Sequence, residues 1–212
     1  MKNFILLAAA SVVLYSCGES VSGDKATTQE AQAASTTTAG AATYNVDGAT
    51  SKLAWAGTGV GHGHNGTFKI SNGTLNVDGG KITAGTFDID VKSMAASDVQ
   101  GEEAKKLIGH MLSDDFFKAE KFPTAKFVIT SVAEAKDSNA NATISGNLTL
   151  LDSTVNVTFP ANVTTSDAGV SAKAKFVIDR TKWGMKYGND KSLGDKFISP
   201  EVGIELDINA KK

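Results

Sequence analysis

The chain has 212 residues, room for one domain with a real buried core and cramped for two. Lys and Arg number 21 against 23 Asp and Glu, and the net charge of -2 excludes a general nucleic-acid binder, because neutralising phosphate needs a basic face. A hydrophobic content of 41% with 21% charged residues describes a soluble globular protein rather than a multispanning membrane protein, and a single cysteine excludes an internal disulfide or a Cys-based zinc cage.

At the N-terminus, Met1-Lys2-Asn3 precedes an apolar run from Phe4 to Leu14. That run is shorter than the roughly 20 apolar residues a membrane span needs, and it reads as a secretory signal. Leu14-Tyr15-Ser16-Cys17 then resembles the lipobox of bacterial lipoproteins, although Tyr15 is bulky for its slot. The expectation is a signal peptide over residues 1–16, lipidation at Cys17, and a membrane reached through a lipid anchor. The alternative is an incidental cysteine with cleavage further along. Gly18 after Cys17 resembles the sorting signals that send lipoproteins onward, which implies the outer membrane, facing the periplasm or the cell surface. Residues 18–43 are Gly, Ser, Thr, Ala and Gln without apolar periodicity. They are expected to form a flexible tether reaching roughly 25–30 Å, with the domain starting at Tyr44 and running over 44–212.

From Tyr44 the dominant period is two. Strands are expected to open at Lys52-Leu53-Ala54-Trp55 and to cover 66–77, 81–91 (with Phe87, Ile89 and Val91 on one face) and 126–132 (Phe127, Ile129). Further strands follow over 141–151 (Ile144, Gly146, Leu148, Leu150), at Val155, Val157 and Phe159, over 170–178 (Val170, Ala172, Ala174, Phe176, Ile178), and at Val202, Ile204, Leu206 and Ile208. Turn signals include Asn72-Gly73, Asp78-Gly79-Gly80, Leu151-Asp152-Ser153 and Asp167-Ala168-Gly169. About eight half-buried antiparallel strands without βα alternation predict an all-β barrel or sandwich. One stretch breaks the period. Ser97-Asp98-Val99-Gln100 reads as a capping box, and Ala104, Leu107, Ile108, Met111 and Leu112 follow at helical spacing, which predicts a short inserted helix around 98–112. Phe116 and Phe117 in the polar loop after it either plug the core or form a lid over an apolar ligand.

Taken in order, several segments resemble the YceI-like family of secreted lipid- or polyisoprenoid-binding proteins, in particular its Bacteroidetes-type lipoproteins. They are Trp55 with His64-Asn65-Gly66-Thr67, Phe87-Asp88-Ile89-Asp90 with Ser93-Met94, and Gly109-His110 with Ser113-Asp114-Asp115-Phe116-Phe117 and Phe122-Pro123. The resemblance continues through Gly146-Asn147-Leu148-Thr149-Leu150, Val157-Thr158-Phe159-Pro160-Ala161, and 176–188 with Asp179-Arg180-Thr181-Lys182-Trp183-Gly184. Two places depart from the family pattern: Asp152-Ser153 where a glycine turn is common, and the glycine-rich Gly61-His62-Gly63.

The resemblance implies an eight-stranded, lipocalin-like antiparallel barrel acting as a non-catalytic carrier of a long apolar molecule: a polyisoprenoid, an isoprenoid quinone or a fatty-acid derivative. No cofactor beyond a bound isoprenoid or acyl lipid is implied, and a homodimer is left open. Small residues expected to point inward, Ala172, Ala174, Gly146 and Gly203, leave room for a void. The expected lining is Phe87, Ile89, Met94, Met111, Phe116, Phe117, Phe127, Ile129, Leu148, Phe159, Phe176 and Trp183, with Arg180, and also Lys182, available to an anionic head group.

Two other readings stay open: a structural or interaction lipoprotein whose barrel is filled, and a weak metal site on His62, His64 and His110. An enzyme is not expected. Asp114-Asp115 is an adjacent pair whose side chains diverge, and His110 and Ser113 lack an identifiable third partner.

Overall fold

The computed structural model describes residues 21–135 and 139–212. Cys17 and the expected signal peptide lie outside the described residues. The alternating pattern becomes one sheet closed on itself. Strands β1 (Asp24–Lys25), β2 (Thr27–Glu30), β3 (Ala42–Val46), β4 (Lys52–Gly59), β5 (His62–Asp78) and β6 (Lys81–Ala96) precede helix α1 (Gly101–Leu112). After it come β7 (Thr124–Glu134), β8 (Ala142–Leu150), β9 (Ser153–Ser166), β10 (Gly169–Asp179), two short 3-10 turns and β11 (Ile198–Lys211). Each strand from β4 to β11 pairs antiparallel with the next, and β11 returns to β4, which closes an eight-stranded barrel. β3 occupies the same slot as β4 nearer the other end, also lying between β11 and β5.

The barrel has two unlike ends. At one, Tyr44, Leu75, Val77, Ile82, Ala161, Val170 and Ala210 pack into a closed apolar floor. At the other, the β4–β5 turn, α1 with its following loop, and the 180–197 segment surround an opening, called the mouth below.

The closure has a weak place. β9 and β10 are hydrogen-bonded only where 162–166 meet 169–173, after which the strands part. The gap is filled from the N-terminal side. β1 runs parallel to Phe176 and Val177 of β10, with the Ala26 N–H donating to the Val177 carbonyl, and β2 pairs antiparallel with residues 155–158 of β9. The segment expected to be a free tether is therefore, from Asp24 on, a strap on the barrel. It continues across the outer wall: the Gln32 N–H donates to Asn147 Oδ1, and Asn147 Nδ2 donates back to the Gln32 carbonyl. The Ser35 N–H reaches the Ile129 carbonyl, where the β7–β8 register shifts by a bulge. Beneath the strap, the outward-facing Asn156 is completely buried, accepting from Gln29 Nε2 and donating to Thr130 Oγ1 and Asn147 Oδ1. Absence of apolar periodicity misled the sequence reading here, because this strand is held by backbone and amide hydrogen bonds on a polar outer wall rather than by an apolar face.

Three local expectations are corrected. Asn72-Gly73 is no turn but lies inside β5 beside a bulge, and Gly73 is required because a Cβ there would stand 2.7 Å from Val46 Cγ2. The capping box does not form: α1 begins only at Gly101 with Gln100 as N-cap and no side-chain cap, and the Ser97 N–H that Gln100 would have capped donates to the Asn65 carbonyl. Gly203 faces outward against Val21 and Ala56, because its neighbours Val202 and Ile204 take the inward positions. At the β8–β9 turn, where the family often has glycine, Leu151 adopts φ 55°, a left-handed conformation it holds with its side chain packed on the core.

The strap makes a stability prediction. Asn156→Ala should cost about 1–3 kcal/mol in denaturant unfolding, since it strands the amide and hydroxyl groups that now meet in a dry layer. Asn147→Ala should leave the barrel folded while making the 31–34 segment sensitive to limited proteolysis; equal cleavage rates would show that the strap is held by other contacts.

Candidate functional site: an apolar cavity

The barrel is not filled. A cavity of about 410 Å³ runs from the mouth toward the floor, within the range of small-molecule sites, and its wall is almost wholly apolar. Every strand of the closed barrel contributes inward positions, for example Trp55 from β4, Phe68 from β5, Phe87 and Ile89 from β6, Ile129 from β7 and Leu148 from β8. β9 adds Val157 and Phe159, β10 adds Ala172, Ala174 and Phe176, and β11 adds Val202, Ile204, Leu206 and Ile208. Two causes leave the space open. The consecutive inward positions Ala172 and Ala174 carry only methyl groups, and the large rings lie along the wall rather than across it.

Those rings form a ladder. Phe87 and Phe127 have centroids 6.2 Å apart, Phe127 and Phe159 6.0 Å, and Phe159 stacks on Phe176 at 4.0 Å with planes 9° apart. The last pair bridges β9 and β10 on the inside, where the strands have parted and the strap fills the gap outside. The tip of the Phe127 ring lies over Gly146, where β8 offers no side chain: a Cβ there would come 2.2 Å from Phe127 Cζ. Gly146 thus points inward as expected, but its space belongs to a ring rather than to the void.

The mouth carries the polar groups. α1 brings Leu107, His110 and Met111 to the cavity, and the following loop brings Phe116 and Phe117. Phe117 meets Phe68 edge-on at 5.5 Å, while the buried Phe116 packs between His110, Tyr187 and Arg180. The two phenylalanines therefore serve core and cavity together. Arg180, 5% exposed, donates to four backbone carbonyls: Ser199 from Nε, Met185 from Nη1, and Tyr187 and Ile198 from Nη2. Burial pulls its pKa below the ordinary guanidinium value while the Asp179 charge opposes that shift. Its fork ties the 185–187 loop to the start of β11, leaving one Nη1 hydrogen outside these four bonds.

Toward the mouth end of the β4–β5 pair, three large inward residues face glycines: Trp55 opposite Gly66, His64 opposite Gly57 and His62 opposite Gly59, while deeper in the barrel Leu53 faces Phe68. His64 Nδ1 lies 2.7 Å from Asp98 Oδ2. Burial raises the Asp98 pKa, but the hydrogen bonds from Asn65 N–H and His64 outweigh it and hold the carboxyl below the usual range.

The structure places every expected lining residue on the cavity wall except Trp183, and it also places Arg180 there. Trp183 is 1% exposed and donates from Nε1 to the Leu148 carbonyl, so it serves as a core wedge behind the wall. Lys182 is exposed and stands off the wall. Sequence reasoning missed Trp55, Phe68, Ile70, Ile144 and Val157 as lining residues, although their alternation was readable once the inward face of each strand was known, and it missed Leu107 on α1.

The three histidines do not converge. His62 Nδ1 meets the Val60 carbonyl, His64 meets Asp98, and His110 Nε2 lies 2.9 Å from Asp115 Oδ2. Among the described residues no group of three or more His, Cys, Asp or Glu is placed to hold a metal ion. Ser113 Oγ donates to the His110 backbone carbonyl rather than to its ring.

A closed eight-stranded antiparallel barrel with an apolar interior open at one end is the lipocalin-like architecture. The chain belongs to the YceI-like domain family, whose model matches residues 44–210. It is 35% identical over 113 residues to a UPF0312 protein of Pseudomonas putida, covering 52% of this chain and 56% of that one. A UPF0312 protein of Shewanella denitrificans is 34% identical over 85 residues, 40% of this chain and 41% of its own. The chain spans about half the length of the curated relatives it matches. Among solved structures, BcnA of Burkholderia cenocepacia superposes with a TM-score of 0.62 at 23% identity, over 77% of this chain and 98% of that one. A polyisoprenoid binding domain from Saccharophagus degradans superposes with a TM-score of 0.56 at 13% identity, over 79% and 97%. At these identities the superpositions speak for the fold.

The mouth clip can be tested directly. Arg180→Lys cannot reproduce a four-carbonyl fork and should lower stability by about 2–3 kcal/mol, with hydrogen exchange rising at 185–199 and unchanged over the floor. A variant as stable as the parent would show that the fork does not hold the mouth.

Proposed function

We propose that this protein is a non-catalytic carrier of a long apolar molecule, an isoprenoid or acyl lipid, held along the barrel axis with its polar end at the mouth. The single observation that carries the reading is the unfilled apolar interior, bounded by a packed floor and polar only at the opening. Burying hydrocarbon there is worth about 0.8 kcal/mol per methylene, so about ten carbons offset ordering costs of several kcal/mol. The fold shared with a polyisoprenoid binding domain of Saccharophagus degradans supports the same class of cargo. Arg180, His62, His64 and His110 line the cavity toward the mouth, and Trp55 Nε1 is buried on its wall without a hydrogen-bond partner among the described residues; these are polar groups that a carbonyl, hydroxyl or phosphate oxygen of the cargo can meet.

The reading includes an envelope lipoprotein anchored through Cys17 in the outer membrane. Val21 packs against Gly203, so four residue steps lead from Cys17 to the docked segment. They span at most about 14 Å, which keeps the barrel close to the lipid surface instead of at the end of a long tether.

Filling the void tests the carrier reading. Ala174→Phe places a ring into the cavity and should reduce uptake of an apolar fluorescent probe by about tenfold or more while the far-ultraviolet β-spectrum stays unchanged. Ala172→Phe serves as a second variant should the first fail to fold. Parent protein that takes up no probe, or folded filled variants that take up as much as the parent, would contradict the proposal.

A further inference from the structure

Large apolar side chains on a soluble domain are usually exposed singly and without pattern. Here they share one place. Among the described residues, those that stand exposed are Val60 at 49%, Tyr187 at 45% and Leu193 at 45%, and all three ring the mouth. Their loops are in direct contact. The Val60 N–H donates to the Phe197 carbonyl, the Phe197 N–H to Gly194 and the Ile198 N–H to Gly188, while the Tyr187 ring meets the His110 ring of α1 edge-on at 4.9 Å.

The rim has a charge pattern of its own. Between 182 and 196 the exposed lysines Lys182, Lys186, Lys191 and Lys196 face only two aspartates, in a chain that is negative overall. One of the two, Asp190, is engaged as the N-cap accepting from the Ser192 N–H. Asp114 and Asp115 border the rim on the α1 side, where Asp115 is paired with His110.

Apolar tips projecting among lysines, around the entrance to an apolar cavity, match an interfacial docking surface: the tips enter the headgroup layer while the ammonium groups meet lipid phosphates. We propose that the rim formed by Val60, Tyr187, Leu193 and the 182–196 lysines docks the barrel mouth-first on a lipid bilayer carrying anionic headgroups. In that orientation an apolar molecule passes between bilayer and cavity without crossing water. The docking surface is independent of the Cys17 anchor and of the carrier reading, since it rests on the outside of the barrel.

The test uses the unlipidated chain from residue 18 onward, which retains every described residue, in co-sedimentation with vesicles. The parent should sediment with phosphatidylcholine vesicles containing phosphatidylglycerol, more weakly with phosphatidylcholine alone, and less as salt rises. Lys191→Gln and Lys196→Gln should each lower partitioning about fivefold. The double variant Val60→Asp, Leu193→Asp should abolish it while probe uptake in solution stays at the parent level, which shows the fold to be intact. Lys81→Gln, at the opposite end of the barrel where β6 begins, should change nothing. No sedimentation of the parent, or binding that survives the rim variants and falls with Lys81→Gln, would overturn the proposal. Rim-dependent vesicle binding by a chain that takes up no probe would support the docking surface and remove the carrier reading alone.

Discussion

An apolar interior that is not filled by side chains stays dry only if the sheet around it has no opening except the intended one, and that closure governs the rest of the architecture. Six of the eight seams close along most of their length; the β6–β7 seam pairs only 86–90 with 124–128, and the β9–β10 seam pairs only at its floor end. There the chain uses two devices at once. The Phe159–Phe176 stack covers the gap inside, and β1 and β2 satisfy the parted strand edges in the wall itself. A free edge over residues 155–158 would otherwise expose backbone donors and acceptors beside the cavity. The strap is for this reason part of the barrel rather than a leader to it.

The interior was largely legible from alternation. Phe87, Ile89, Phe127, Ile129, Leu148, Phe159 and Phe176 reach the wall because a period of two fixes which face each residue takes, and closure makes that face the inside. What escaped lay where something other than an apolar stripe decides the structure. The strap is held by amides on a polar outer wall, and Asn156 is buried at a position that alternation assigns to the outside. Trp183 belongs to a 3-10 turn, where a period of two says nothing, and its indole is aimed at the Leu148 carbonyl. Gly203 and Gly146 look alike in sequence, yet one faces the strap and the other lies under Phe127.

The mouth shows how local chemistry becomes a functional opening. Arg180 gathers carbonyls from two segments that have no strand partner between them, and its guanidinium faces the Phe116 ring, which in turn packs on His110 and Tyr187. On the opposite side, Asp98 couples the end of β6 to β5 through Asn65 and His64. Because the Asp98 carboxyl is held below its usual pKa, this tie contributes above the ordinary carboxylate pKa and is lost as pH falls through the lower, folded value. The opening is thus set by two small polar clusters on a wall that is otherwise apolar.

The central claim is that the void is occupied by a lipid. The most direct measurement is to isolate the protein from its own cells without detergent, extract it with organic solvent and weigh the extract by mass spectrometry against the protein recovered. A single isoprenoid or acyl species near one per chain, absent from the folded Ala174→Phe variant, is the result expected. A folded parent protein that yields no lipid, or the same lipid in equal amount from the filled variant, would contradict the account.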